Sequence, residues 1–392
     1  MVKVVDTNGS PQAIPSSPRL FVIIFTPQSQ PPLTRAMSDN SENILYIPDT
    51  MSAWPWPRKL NPLYEEVEAE SIAWMESFKP YTPESQTAHN KGDVGRLAAL
   101  VLGDAPREPL RIAADLMHLL YIADEYTDAE SAAGVQEISS IILDALHNPD
   151  TPRPEGESVI GEMTKEWWAR VRAVATPQAI KHFLTAMEDY LGAVGEQAED
   201  RDKLAIRDVD SYLAARRYDS AVVACFMPGE LYLSIPDEAF YHPAVKQLQD
   251  ASTELVVLDN DVASYNREQA TGHGKWNILS VAMHQFGLDL HGATEWVAQH
   301  HKEVEARFFD ALARLPSFGP AVGAELQEYV ACVAAWPRGN DCWRFESERY
   351  FGKKGGEVQK TRRVPLLAKR PMNPEMRRER VEVQLIEELE QV

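Results

Sequence analysis

From Leu60 almost to residue 350, apolar side chains recur at three- and four-residue spacing, and this one period dominates the chain. Such spacing lines apolar groups along one stripe of a helix, and each stripe must be buried against a neighbour. It predicts helices near 62–79, 84–103, 109–130, 134–147, 158–174 and 177–199. Further helices are expected near 205–226, 243–268, 273–287, 289–313 and 319–336. Prolines and glycines gather between these segments, as at 80–83, 151–156, 234–237 and 316–320, where they end helices. No stretch alternates as a strand would, and no repeat is evident. A long array of helices without a parallel-sheet signature implies one all-α domain over 45–352.

The flanks read differently. Residues 1–44 are expected to be a disordered extension, since the first 36 are rich in Pro, Ser, Gln and Thr, and Met37 offers a second start. Residues 353–392 turn basic and then acidic, as a charged, partly disordered tail would. The longest apolar stretch near the start, Phe21 to Phe25, is far below the roughly 18–20 residues of a membrane span. A secretory signal would also need a basic flank and a cleavage site. No membrane insertion and a cytoplasmic location are therefore expected. The three cysteines, Cys225, Cys332 and Cys342, are too few and too scattered for a disulfide framework. A net charge of -20 disfavours a nucleic-acid partner. An anionic small substrate would need local positive charge, from metals or clustered arginines. A monomer or homodimer is expected.

Three constellations carry chemistry. The first is Asp124-Glu125-Tyr126-Thr127-Asp128, at the end of the apolar run 116–123. Asp124 and Asp128 are four apart, one turn along the same helical face, where like charges repel unless a cation lies between them. Hard Mg²⁺ prefers carboxylate oxygens together with water and phosphate. The second runs from Asn260 to Glu268, after Leu255-Val256-Val257-Leu258. Asn260, Ser264 and Glu268 stack an amide oxygen, a hydroxyl and a carboxylate along one face, enough to bind a hard cation with one negative charge. The third is basic: Arg216-Arg217, Arg267 inside the second motif, and Arg349-Tyr350. Arginine forks bind phosphate bidentately, and a tyrosine hydroxyl adds a donor. No Ser/His/Asp or Cys/His set stands out.

In these motifs the sequence resembles the fungal class I sesquiterpene synthases. The acidic quintet is similar to that family's aspartate-rich motif, with Glu125 at the position of a commoner second aspartate. Residues 260–268 match its Asn-Asp-x-x-Ser-x-x-Arg/Lys-Glu motif at every defined position, and Arg349-Tyr350 matches its C-terminal pair. The segments Trp54 to Pro62 and Trp336 to Trp343 also look like basidiomycete members, most like the protoilludene-type group that begins with 1,11 closure of farnesyl diphosphate. The likeness covers 45–352.

The resemblance implies an all-α helical bundle around a central apolar cavity, with three Mg²⁺ ions at one end. By it, Asp124 would hold metal with Asp128 a weaker contributor, and Asn260, Ser264 and Glu268 would hold another ion. Arg216 or Arg217, Arg267, Arg349 and Tyr350 would bind the diphosphate of a small isoprenoid substrate. Asp219 and Ser220 would form the linker and effector after the sensor arginine, the doublet leaving its register open. Tyr121, Phe226 and Trp336, with Leu120 and Val257, are candidates for the cavity wall, where aromatic faces stabilise cations. The alternatives are a synthase for geranyl or geranylgeranyl diphosphate, and a non-catalytic helical protein that kept the fold. Chain-elongating prenyltransferases carry two aspartate-rich quintets, and the Asn/Ser/Glu motif argues against them.

Overall fold

The computed structural model describes residues 44–128, 130–203 and 205–369, which form one compact unit. The expectations for residues 1–43 and 370–392 lie outside the described residues.

The order of elements is β1 (Ile44–Tyr46), α1 (Tyr64–Ser77), α2 (Pro83–Lys91), α3 (Val94–Val101), α4 (Arg107–Asp128), α5 (Ala132–His147), α6 (Val159–Arg172) and α7 (Pro177–Asp202). There follow α8 (Val209–Asp219), α9 (Met227–Glu230), α10 (Asp237–Phe240), α11 (Pro243–Thr271), α12 (Ile278–Phe286), α13 (Leu290–Ala313), α14 (Pro320–Glu346), α15 (Gly355–Thr361) and β2 (Arg363–Pro365). The all-α expectation holds. Helix α11 packs on α13, α14, α8 and α12, while α4 packs on α1, α3, α5 and α6. Both central helices are buried over most of their residues, polar groups of α11 such as Glu254 and Asp261 included.

Four boundaries depart from the sequence expectation. The helix expected over 84–103 breaks at Gly92-Asp93, where Asp93 adopts a left-handed φ of 48°. The helix expected over 205–226 ends at Asp219, and Ala221 two residues on has φ 59°. The helix expected to stop at residue 336 instead runs through Pro337 to Glu346. Proline has no N–H to give the carbonyl four residues back. That carbonyl, Val333, accepts the Ser252 hydroxyl instead (2.7 Å), and the next, Ala334, accepts the Trp54 indole N–H (3.0 Å).

The fourth departure concerns strands and the end of the domain. No strand was expected, yet β1 and β2 pair antiparallel, Leu45 opposite Val364. The fold thus continues past Gly352, through α15, back to the start of the described chain. The same segment docks on α11: Leu367 N–H donates to Asn266 Oδ1 (2.8 Å), Asn266 Nδ2 to Pro365 O (3.1 Å), and Gln269 Nε2 to Leu367 O (2.9 Å).

Candidate active site

The first acidic motif closes α4, whose preceding residues Ile122 and Ala123 are buried. Asp124 is solvent-accessible yet surrounded by protein, as a group lining a concave mouth would be. Its carboxyl is pushed up to about 7, first by desolvation and then by the charges of Asp128 and Glu125; Arg349 and Arg267 pull the other way. Asp128 is also exposed and is drawn to Arg201 Nη1 on α7 (3.4 Å). Glu125 accepts from Arg349 Nη1 (3.0 Å). Its charge thus anchors an arginine from the far end of the chain.

The second motif lies mid-way to the end of α11. Asn260 Nδ2 donates to Tyr350 Oη (2.7 Å), which leaves its carbonyl oxygen for another partner. Ser264 is buried one turn on, its hydroxyl donating to Asp261 O (3.3 Å). Glu268 accepts from Asn277 Nδ2 (2.9 Å). Burial, with the Asp261 charge next, pushes the Glu268 carboxyl up to about 7 against the Ser264 and Asn277 hydrogen bonds and the Arg267 charge. Asp261 points the other way and ties three elements together. It accepts from Tyr212 Oη and Arg216 Nη2 (3.0 Å) on α8 and from Ile278 N–H (2.9 Å) at the start of α12.

The arginine doublet separates into two environments. Arg216 bridges Asp219 (2.6 Å) and Asp261 (3.0 Å) beside the α8 break, and the other Asp219 oxygen accepts the Trp276 indole N–H (3.1 Å). Ser220 caps α8. Arg217 faces buried Glu254 (3.6 Å), which also accepts from Arg307 (2.6 Å) and contacts His300 (2.8 Å). Of the doublet, the geometry thus joins Arg216 to the second motif and gives Arg217 a role in holding α8 on α11. Arg267 has no ion-pair partner among the described residues, but its charge acts on Asp124, Glu268 and Tyr350.

Arg349 and Tyr350 join the two motifs, one reaching Glu125 of α4 and the other Asn260 of α11. Of the expected wall residues, Tyr121 lies here, its ring 4.9 Å from the Arg349 guanidinium. Phe226 and Trp336 are buried and pack edge to face (6.1 Å), with Phe226 also against Tyr329.

The donor set can be tested for a metal. Every candidate ligand offers oxygen, and Asp124 and Glu268 are both held near neutrality because the surrounding arginines do not compensate their burial. A divalent cation would remove that deficit. Among the described residues no three His, Cys, Asp or Glu side chains form an all-protein cage. Separate carboxylates with an amide and a hydroxyl suit a hard ion that keeps waters and takes phosphate oxygens. The sequence reading passed over Asn277 and Trp276, which orient Glu268 and Asp219 from a loop with no motif. Asp261 stood inside the second motif and was legible there.

Residues 115–307 match a family model described as terpene synthase family 2, C-terminal metal binding. Sesquiterpene synthase 14 of Postia placenta is 52% identical over 90% of this chain and 100% of its own length. The chain belongs to the terpene synthase family. Delta(6)-protoilludene synthase 18 of Postia placenta is 48% identical to the synthase over 86% of this chain and 97% of its own. A Delta(6)-protoilludene synthase of Stereum hirsutum is 39% identical over 88% and 94%. Among solved structures, hedycaryol synthase in complex with HEPES superposes on the synthase with a TM-score of 0.66 at 22% identity, covering 76% of this chain and 98% of that one. A single-residue variant of cucumene synthase gives 0.66 at 21%, covering 75% and 99%. At such identities these show a shared fold. No described helix of the synthase is long and apolar enough to cross a membrane.

Proposed function

We propose that this chain is a Mg²⁺-dependent sesquiterpene synthase that ionises farnesyl diphosphate and cyclises the carbocation, releasing diphosphate. The observation that carries the reading is the Arg349-Tyr350 pair, which binds Glu125 of one oxygen-rich motif and Asn260 of the other and so brings both to one mouth. Relatives that are 48% and 39% identical are named Delta(6)-protoilludene synthases, which supports 1,11 ring closure as the first cyclisation.

Asp124, Asn260, Ser264 and Glu268 are the residues that would hold the metal, with Asp128 behind Asp124. Bound divalent cations supply charge neutralisation on the leaving diphosphate. The rest follows from the chain's own groups. Arg216, Arg267 and Arg349 present positive charge where the allylic carbon–oxygen bond leaves its electrons on phosphate, and the Tyr350 hydroxyl adds a hydrogen-bond donor. Arg216 is assigned as the diphosphate sensor over Arg217, because Arg216 alone of the two bonds Asp219, the residue at the helix break. On the hydrocarbon side the Tyr121 ring offers a π face to developing cationic charge. The apolar wall excludes water that would quench the cation.

The test is incubation with farnesyl diphosphate under a hydrocarbon overlay, with Mg²⁺ or EDTA, read by gas chromatography–mass spectrometry. A Mg²⁺-dependent cyclic C15 product is expected. A product only from geranyl or geranylgeranyl diphosphate would overturn the substrate assignment, and silence with all three would overturn the activity.

A further inference from the structure

Helices α2 and α3 are separated by Gly92-Asp93, and Asp93 holds a backbone conformation that non-glycine residues rarely adopt. The neighbours enforce it. The Asp93 carboxylate accepts from Tyr64 Oη (2.7 Å) and Arg96 Nε (2.5 Å), and the Arg96 guanidinium lies 4.6 Å from the Tyr64 ring centre. At this break three successive carbonyls face the end of α14. The Trp343 indole N–H donates to Gly92 O (3.1 Å) and Asp93 O (2.8 Å), and Glu348 N–H donates to Lys91 O (3.1 Å). The segment so held leads directly into Arg349-Tyr350.

Trp343 also touches what that pair rests on. It is fully buried, and its ring meets the Tyr121 ring (5.9 Å, 62°) and the Tyr350 ring (5.5 Å, 84°) at their edges. Tyr121 is the ring that carries Arg349. One side chain therefore links the α2–α3 break to both members of the pair. Among the described residues no other hydrogen bond reaches the buried Gly92 carbonyl, so a phenyl ring in place of the indole would keep the edge contacts and leave that carbonyl unsatisfied.

We infer that Trp343 is a positioning residue for diphosphate binding, acting through the Gly92 and Asp93 carbonyls to fix Arg349 and Tyr350. The inference rests on the reading of that pair as a diphosphate clamp. Its test is calorimetric titration of the full chain with inorganic diphosphate and Mg²⁺. Trp343→Phe should bind about tenfold more weakly, because binding must then re-order the pair that the lost hydrogen bonds held in place. The kcat/KM for farnesyl diphosphate should fall at least as far, with an unchanged circular dichroism spectrum. Arg349→Ala alone should also weaken binding, and adding Trp343→Phe to it should cost less than it does in the wild type, because the tryptophan acts in part through the arginine. Unchanged affinity in Trp343→Phe, or losses that add in the double variant, would overturn the inference while the Arg349→Ala loss leaves the clamp standing. Normal binding by Arg349→Ala would instead overturn the clamp itself. Should Trp343→Phe not fold, Tyr64→Phe, which removes one of the two bonds on the Asp93 carboxylate without touching the clamp, should weaken diphosphate by roughly threefold; no loss there would also overturn the inference.

Discussion

Glu268 offers a prediction whose size can be worked out. Its carboxyl titrates at about 7 in the folded chain, chiefly through burial, against 4.5 as an ordinary glutamate. A raised acid holds a proton in the folded state that the unfolded state releases, so the metal-free chain loses stability as pH rises between those values. At 1.36 kcal/mol per unit, about 2 kcal/mol of that loss falls between pH 5.5 and 8, reduced to about 1–2 kcal/mol because solvent reaches the partly exposed carboxylate. For a domain of this size that is a fall of roughly 2–3 °C in Tm. Other raised groups, Asp124 among them, add their own slopes, so the informative quantity is the difference between wild type and Glu268→Gln. Differential scanning fluorimetry in EDTA should show the variant gaining on wild type by that amount from pH 5.5 to 8. Mg²⁺ needs the ionised carboxylate, so its stabilisation of wild type should appear above pH 7 and weaken about tenfold in affinity per unit below it. An equal wild-type-to-variant gap at both pH values would refute the raised carboxyl, and Mg²⁺ stabilisation that ignores pH would refute its place at the metal.

Asn260→Ala should lower kcat at least about 100-fold while Tm moves by less than about 3 °C; near-normal turnover would remove Asn260 from the metal site. Arg216→Ala should abolish cyclisation, whereas Arg217→Ala should act mainly on stability, by about 1–3 kcal/mol in urea unfolding, since Glu254 keeps Arg307 and His300. Truncation after Gly352 should cut Mg²⁺ affinity, measured calorimetrically, because it removes the carbonyls and the amide that hold Asn266 and Gln269 of α11 beside the proposed ligands. Tyr121→Leu should change the product mixture seen by gas chromatography, and an unchanged mixture would return Tyr121 to a purely structural role.

The helices, the two oxygen-rich motifs and the Arg349-Tyr350 pair were legible because each is local: a period, a spacing or a dipeptide. What escaped was set by tertiary partners. The helix break at Asp93 has only Gly92 as a local signal, inside an otherwise helical pattern, and the left-handed residue after it is held by Arg96 and by Tyr64 from α1. Pro337 looked like a stop because nothing nearby shows that Ser252, far back in the chain, satisfies the carbonyl it orphans. The register of Arg216 and Arg217 was open for the same reason. Both lie near the end of one short helix, and acids seven residues apart on α11, Glu254 and Asp261, decide which way each turns.

The hydrogen bonds that fasten α11 span long stretches of sequence: 209 residues from Thr50 to Asp259, 90 from Asn260 to Tyr350, 99 from Asn266 to Pro365. At synthesis rates of about 5–20 residues per second, α11 waits about 5–20 s between its own translation and that of the residues that close it. Helix formation and local packing are far faster, so the helices up to α13 can form while the mouth is still open. Competence to bind and ionise substrate therefore arrives last, with the C-terminal segment. A chain stalled or cleaved before Tyr350 would lack the hydrogen bond that joins the C-terminal segment to Asn260.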